Sequence, residues 1–194
     1  MADVTGNYRL GPGAGRLVVR TSRAGLAAKV GHDLELEVTR WSADITVPGP
    51  GDDGRAAATI TAELDLGSLT VRAGSGGARP LTDSDRRDIE STMRKILPGG
   101  GASGRASGGA GTATFRSTRI IPSAVGGAVE GTLTLNGRSQ PVRLQLTSPA
   151  PGRYRGTAPV VQSAFGIKPY TGFFGALKLR DEVTAEFEVD LNRS

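Results

Sequence analysis

The sequence predicts an all-β protein, an antiparallel barrel or sandwich around one core. Three observations carry that prediction. Apolar and polar residues alternate with period two in segment after segment, turn residues punctuate those segments, and large core-filling side chains are scarce. The 194 residues include 29 glycines and 11 prolines but only 37% hydrophobic and 5% aromatic residues, a balance that suits many short strands. The length is ordinary for one β domain with one sizeable core, so a single domain over residues 1–194 is expected.

Strands are expected near residues 7–10, 15–22, 34–47, 56–66, 112–121, 127–135, 138–148, 153–162 and 183–191. Leu34, Leu36 and Val38 alternate with Glu35, Glu37 and Thr39, after which Trp41, Ala43, Ile45 and Val47 take the opposite parity. That slip predicts a β-bulge near Thr39 and Arg40, the kind that bends a long strand around a barrel corner. Ala58, Ile60, Ala62, Leu64 and Leu66 alternate with Thr59, Thr61, Glu63 and Asp65.

Between Thr82 and Leu97 the period changes: Ile89, Met93, Ile96 and Leu97 fall at helical spacing. Thr82, Asp83 or Ser84 can cap the helix, acids crowd its first turns, Arg94 and Lys95 suit its C-terminal end, and Pro98 stops it. A glycine- and serine-rich loop is expected from Gly99 to Gly111.

Alternation then returns. Val129, Gly131, Leu133 and Leu135 form one apolar column, Val142, Leu144 and Leu146 a second, and Ala185, Phe187, Val189 and Leu191 a third. Asn136-Gly137 between the first two is a strong hairpin signal, because both residues tolerate the positive φ of a type I′ turn. Each strand keeps one wet face. Parallel strands covered on both sides would read as continuous apolar runs, so the sheet is antiparallel.

No stretch approaches the roughly 18 to 20 apolar residues of a membrane-spanning helix. The opening Met-Ala-Asp-Val-Thr-Gly lacks the basic and apolar regions of a signal peptide, so a cytoplasmic location is expected. With no cysteine there is no disulfide, thiolate nucleophile or Cys-ligated metal. The net charge of +5 is spread without runs of like charge; a solvated exterior is its ordinary reading, and attraction to phosphates or anionic head groups the other.

Catalytic motifs are missing. The one histidine, His32, is followed by Asp33, but neighbours on a strand point to opposite faces and make a poor acid/base dyad; a structural or binding role comes first. A His-based metal site lacks further ligands, and no cofactor is called for. There is no Gly-Lys-Ser/Thr phosphate loop, no dinucleotide fingerprint and no Gly-x-Ser-x-Gly elbow. Nucleic acid is not an expected partner: Phe115 and Phe187 fall on apolar columns, while Phe165, Tyr170, Phe173 and Phe174 cluster in one loop instead of spacing along an open face.

That loop, from Phe165 to Leu177, concentrates apolar surface between glycines, and reads equally as a plug in one barrel end or the lip of a portal. Ala58, Ala62, Gly131 and Ala185 are small residues in the inward columns. Interiors pack densely, so either neighbours or an apolar guest must fill the space they leave.

The chain resembles the YceI-like family of bacterial lipid-binding proteins. The resemblance rests on the opening Tyr8-Arg-Leu, the Gly31-His-Asp-Leu that leads into a long strand, the Thr59 to Leu69 strand and turn, and Phe115-Arg-Ser-Thr. It continues with Gly131-Thr-Leu-Thr-Leu-Asn-Gly, Pro141-Val-Arg-Leu, Phe165-Gly-Ile and Arg180-Asp-Glu-Val-Thr-Ala-Glu-Phe-Glu. It implies an extended lipocalin-like antiparallel barrel of about eight strands with a helical excursion, holding a polyisoprenoid such as a quinone or prenyl-phosphate tail, with no reaction implied. Two features depart from the family: the secretion signal many members carry, and the region after the helix, replaced here by the Gly99–Gly111 loop.

The expectation is therefore a carrier or store of an isoprenoid or fatty-acid-like molecule. Ile60, Leu64, Phe115, Leu133, Leu144 and Phe187 are the candidate lining. Phe165, Ile167, Tyr170, Phe173 and Phe174 are placed at the mouth, with His32 or Lys168 meeting a polar head. The rivals are an enzyme acting on a lipid-like substrate in the same barrel, with His32 or a tyrosine hydroxyl taking part, and a module that makes transient contact with a membrane or protein surface. The sequence is silent on oligomeric state.

Overall fold

The computed structural model describes residues 5–49, 57–97 and 111–193, without the side chain of Phe173. The expected loop Gly99–Gly111 lies outside these residues except for its last glycine, as do Pro98 and the first residue of the strand expected at 56–66. No helix among the described residues is long and apolar enough to cross a membrane.

Strands β1 (Gly6–Leu10), β2 (Gly15–Thr21), β3 (Arg23–Ala24), β4 (Asp33–Val38), β5 (Trp41–Val47), β6 (Thr59–Asp65) and β7 (Leu69–Ser75) precede helix α1 (Asp83–Ile96). After it come β8 (Thr112–Ser123), β9 (Gly126–Leu135), β10 (Arg138–Ala150), β11 (Arg153–Val161), β12 (Thr171–Gly172), β13 (Leu177–Leu179) and β14 (Glu182–Asp190). Eleven strands form one antiparallel sheet in the order β1-β5-β6-β8-β9-β10-β11-β14-β2-β4-β7. The pairs β1/β2, β4/β5 and β6/β7 are each two halves of one bent run, so eleven pieces less three joins leave eight runs. Because β4 pairs with β2 and β7 while its continuation β5 pairs with β1 and β6, the ring of pairings closes.

The join between β4 and β5 falls at Thr39 and Arg40, where the parity slip placed a bulge. Ser68, buried between β6 and β7, clamps this corner. Its hydroxyl accepts from the Arg40 N–H at 2.9 Å and donates to the Asp65 carbonyl at 2.7 Å, while its carbonyl accepts from the Thr39 hydroxyl at 2.9 Å. At the β9–β10 hairpin Asn136 and Gly137 have φ of 54° and 69°, the two positive values a type I′ turn requires.

The helix begins as expected. Thr82 caps it in a reciprocal capping box with Asp85, and Ile89, Met93 and Leu97 pack on the cluster Leu34, Leu36, Val38, Leu69 and Val71. Ile96, counted with them on spacing, is instead exposed. The helix also closes an edge: β8 pairs with β6 but not with β7, and α1 supplies β7's missing partners. Glu90 accepts from the Val71 N–H at 2.9 Å, and Arg86 donates to the Val71 and Arg72 carbonyls at 3.0 and 2.7 Å. An open strand edge is thereby covered.

Two parts of the architecture differ from the sequence expectation. The run after Leu66 continues as β7, whose bulge opposite Glu35 and Leu36 breaks its alternation. The segments 22–31 and 166–180, where no strand was expected beyond residue 22, pair through β12, β13 and β3 into a small second sheet.

Candidate functional site

Alternation directs one column of each strand into the barrel, and the burial of those columns divides the interior in two. On the side covered by α1 the inward residues of β4 and β7 are buried, with Leu36 at 6% and Val38 at 2% exposure. On β10 the outward Ser139, Pro141, Arg143, Gln145 and Thr147 are exposed, yet the inward Gln140, Val142, Leu144 and Leu146 are only half-buried. Leu17 and Val19 on β2, Ile45 on β5, Ile60 and Ala62 on β6, Leu133 on β9, Tyr154 on β11 and Phe187 on β14 share this condition. A packed core would exclude solvent from such a column. These inward side chains thus form an apolar wall that is still partly accessible.

Charge lies on the outside. Glu186, Arg20, Glu35, Arg72 and Glu37 form a chain of ion pairs across β14, β2, β4 and β7, with separations of 2.7, 2.8, 3.3 and 2.9 Å. The hydrogen bond to Glu186 raises the pKa of Arg20 further. Arg143–Glu130 and Arg155–Glu188 extend the pattern on β9–β10 and β11–β14 at 2.8 and 3.0 Å.

The candidate lining residues are brought together in the ring. Ile60 faces Ile45, Leu64 faces Trp41, Phe115 lies between Ala62 and Leu133, Leu144 faces Val129, and Phe187 lies between Gly156 and Leu17. Phe115 is buried while the other five are half-buried. Gly131 leaves no room for a guest, because the Phe115 ring lies where its Cβ would be; Phe187 covers Gly156 in the same way. Neighbours, not a ligand, fill those gaps.

The candidate mouth residues divide. Phe165 and Ile167 are not lip residues: at 2% and 4% exposure they pack with Ala113 and Leu135 and plug one end of the barrel. The Asn136 side chain holds this plug from the hairpin, its amide donating to the Phe165 carbonyl at 3.0 Å. Lys168 and Tyr170 are exposed, as is Phe174, while Phe173 is placed by its backbone alone.

His32 is turned away from a head-group role. Its Nε2 donates to the Arg79 carbonyl at 2.7 Å and its ring lies against Gly77, which ties the start of β4 to the segment leading into α1. Asp33 accepts from the Arg23 N–H at 2.7 Å, so the two neighbours are engaged separately and form no dyad. Arg79 in turn donates to both oxygens of Asp85 at 2.8 and 2.9 Å, and with Thr82 it holds the Asp85 carboxyl well below the usual carboxylate range. Trp41, the first residue of the run that follows the parity slip, lies at the join of two apolar clusters on the inner wall.

A closed antiparallel ring, a covering helix and an apolar inner wall together define a lipocalin-like barrel. Residues 107–191 match the family model of the YceI-like domain, so this stretch of the chain is similar to that family. In fold it is similar to a crystal structure of a mutant CJ YceI protein made for nanotechnology applications, with a TM-score of 0.51 at 14% identity over 81% of this chain and 83% of that one. A second mutant of CJ YceI protein, crystallised with a monobromobimane guest, aligns over the same shares at 14% identity with a TM-score of 0.49. Comparison with the curated proteins gives no match.

Proposed function

We propose that the protein binds a long apolar molecule in its lumen, best fitted by a polyisoprenoid of the quinone or prenyl-phosphate type, and acts as its carrier or store. The half-buried inward column of β10 carries this reading, because it offers apolar surface that only a guest can cover. Each CH₂ group buried there contributes about 0.8 kcal/mol, so even a partly enclosed chain binds well. No inward group on β10 is charged, which favours a hydrocarbon over an ionic ligand. The engagement of His32 and Asp33 in separate backbone contacts speaks against catalysis by that pair.

Trp41, the single tryptophan, provides the test. Titration with a polyprenyl quinone should quench its fluorescence saturably at one equivalent. Leu144→Phe, which takes up space inside the barrel, should weaken the binding. Quenching no stronger than that by a quinone lacking the prenyl tail would refute the proposal.

A further inference from the structure

The small sheet and its loops form a lobe at the plugged end of the barrel. The Ala27 N–H donates to the Ala176 carbonyl at 3.0 Å, Lys178 pairs with Ala24, and the Arg180 N–H donates to the Ser22 carbonyl at 2.7 Å, so segments 22–31 and 166–180 are one unit. The Gln162 N–H, at the head of the turn that ends in Phe165, donates to the Asp181 carbonyl at 2.9 Å and fixes the lobe beside the plug.

Four of the seven exposed large apolar side chains among the described residues lie on this lobe. Leu26 is 98% exposed, Phe174 is entirely so, and Val30 and Tyr170 are exposed as well. Phe174 is held at φ 53° and ψ 32°, a left-handed conformation that is unfavourable for a bulky residue, and it gains no packing in return. Segments 22–31 and 166–180 hold Arg23, Lys29, Lys168, Lys178 and Arg180 and no acid, which is the chain's whole excess of +5; the remaining 19 cations balance the 19 acids. Three of the four lysines are here, all exposed, and no ion pair involves them among the described residues.

We propose that this lobe docks on an anionic lipid bilayer, Leu26 and Phe174 entering the interface while Lys29, Lys168 and Lys178 meet the head groups. A second copy of the chain is disfavoured, because two lobes that each carry three lysines without an ion pair among the described residues repel. A bilayer suits the lobe better than a shaped protein partner, since the apolar side chains protrude singly and a fluid interface requires no matching pockets. Docking here brings the plugged end of the barrel to the membrane, and it does not depend on what the lumen holds.

Flotation with phosphatidylcholine vesicles, with and without phosphatidylglycerol, tests this without any lumen ligand. The wild type should float with the anionic vesicles at low salt and be released by high salt. Replacing the three lysines by Gln should weaken binding on the order of a hundredfold, at about fivefold per lysine. Leu26→Ser with Phe174→Ser should weaken it at least about tenfold at unchanged charge. All five side chains contact solvent, and circular dichroism checks that the variants fold. Failure of the folded wild type to float, or unchanged binding by either variant, would overturn the proposal. Equal binding to polyglutamate, insensitive to the two Ser substitutions, would assign the lobe to an acidic protein and overturn it too.

Discussion

Truncating Leu144 and Leu36 to alanine distinguishes a hollow barrel from a packed one. Leu36 on β4 is 6% exposed and touches the cluster beneath α1, so its loss removes buried area and leaves a cavity. Transfer of the lost carbons accounts for about 2 kcal/mol and the cavity adds a similar amount, for a total of about 3–4 kcal/mol. Leu144 on β10 is half-buried, so its side chain already borders solvent-accessible space. Its truncation forfeits part of the transfer term and creates no new cavity, a cost of about 1 kcal/mol. For a chain of this length each kcal/mol moves the melting temperature by roughly 2–4 °C, so the two variants should fall by about 10 °C and about 3 °C. Urea unfolding with unchanged m-values is the matching equilibrium assay. If Leu144→Ala destabilised the protein as much as Leu36→Ala, the lumen would be packed and the reasoning would fail.

Four further outcomes follow from the same geometry. Gly131→Ala should destabilise by about 1–3 kcal/mol, because its Cβ would meet the Phe115 ring and lie 2.5 Å from the Arg116 carbonyl, a change visible in the urea midpoint. Thr82→Ala should cost about 1 kcal/mol through loss of the helix cap. The folded Asp85 carboxyl titrates below its unfolded value, so its stabilising effect is complete above the ordinary carboxylate range of about 4 and fades as pH falls toward the folded value; wild type and Asp85→Asn should differ by a constant amount at neutral pH and converge only in acid. His32→Ala should lower stability by about 1 kcal/mol through its bond to the Arg79 carbonyl and leave lumen binding intact; loss of binding with stability unchanged would return His32 to the site.

Much of this fold is legible in the sequence because alternation reports directly which face of a strand is wet. It yielded the runs that became β4, β5, β6, β9, β10 and β14, and the parity slip at Thr39 and Arg40 marked the corner that Ser68 clamps. β7 escaped because Leu69 and Val71 give only two inward apolar positions before a bulge changes the parity. The two- and three-residue strands of the lobe are too short for any period to show. The candidate lining residues were legible for the same reason as the strands. Alternation shows which side chains point inward, though not whether solvent reaches them, so the half-burial of Leu144 and the filling of Gly131 by Phe115 needed coordinates. Nor does sequence distance reveal that His32 bonds to Arg79, or that Phe165 and Ile167 plug the barrel while Phe174 stands free.

Native mass spectrometry of the protein purified gently from its own host, followed by organic extraction, bears most directly on whether the lumen holds a guest. The expected result is a stoichiometric adduct that is released into organic solvent as a long apolar molecule, chemically unchanged by the protein. A bare polypeptide mass, together with failure to take up added isoprenoids, would contradict it.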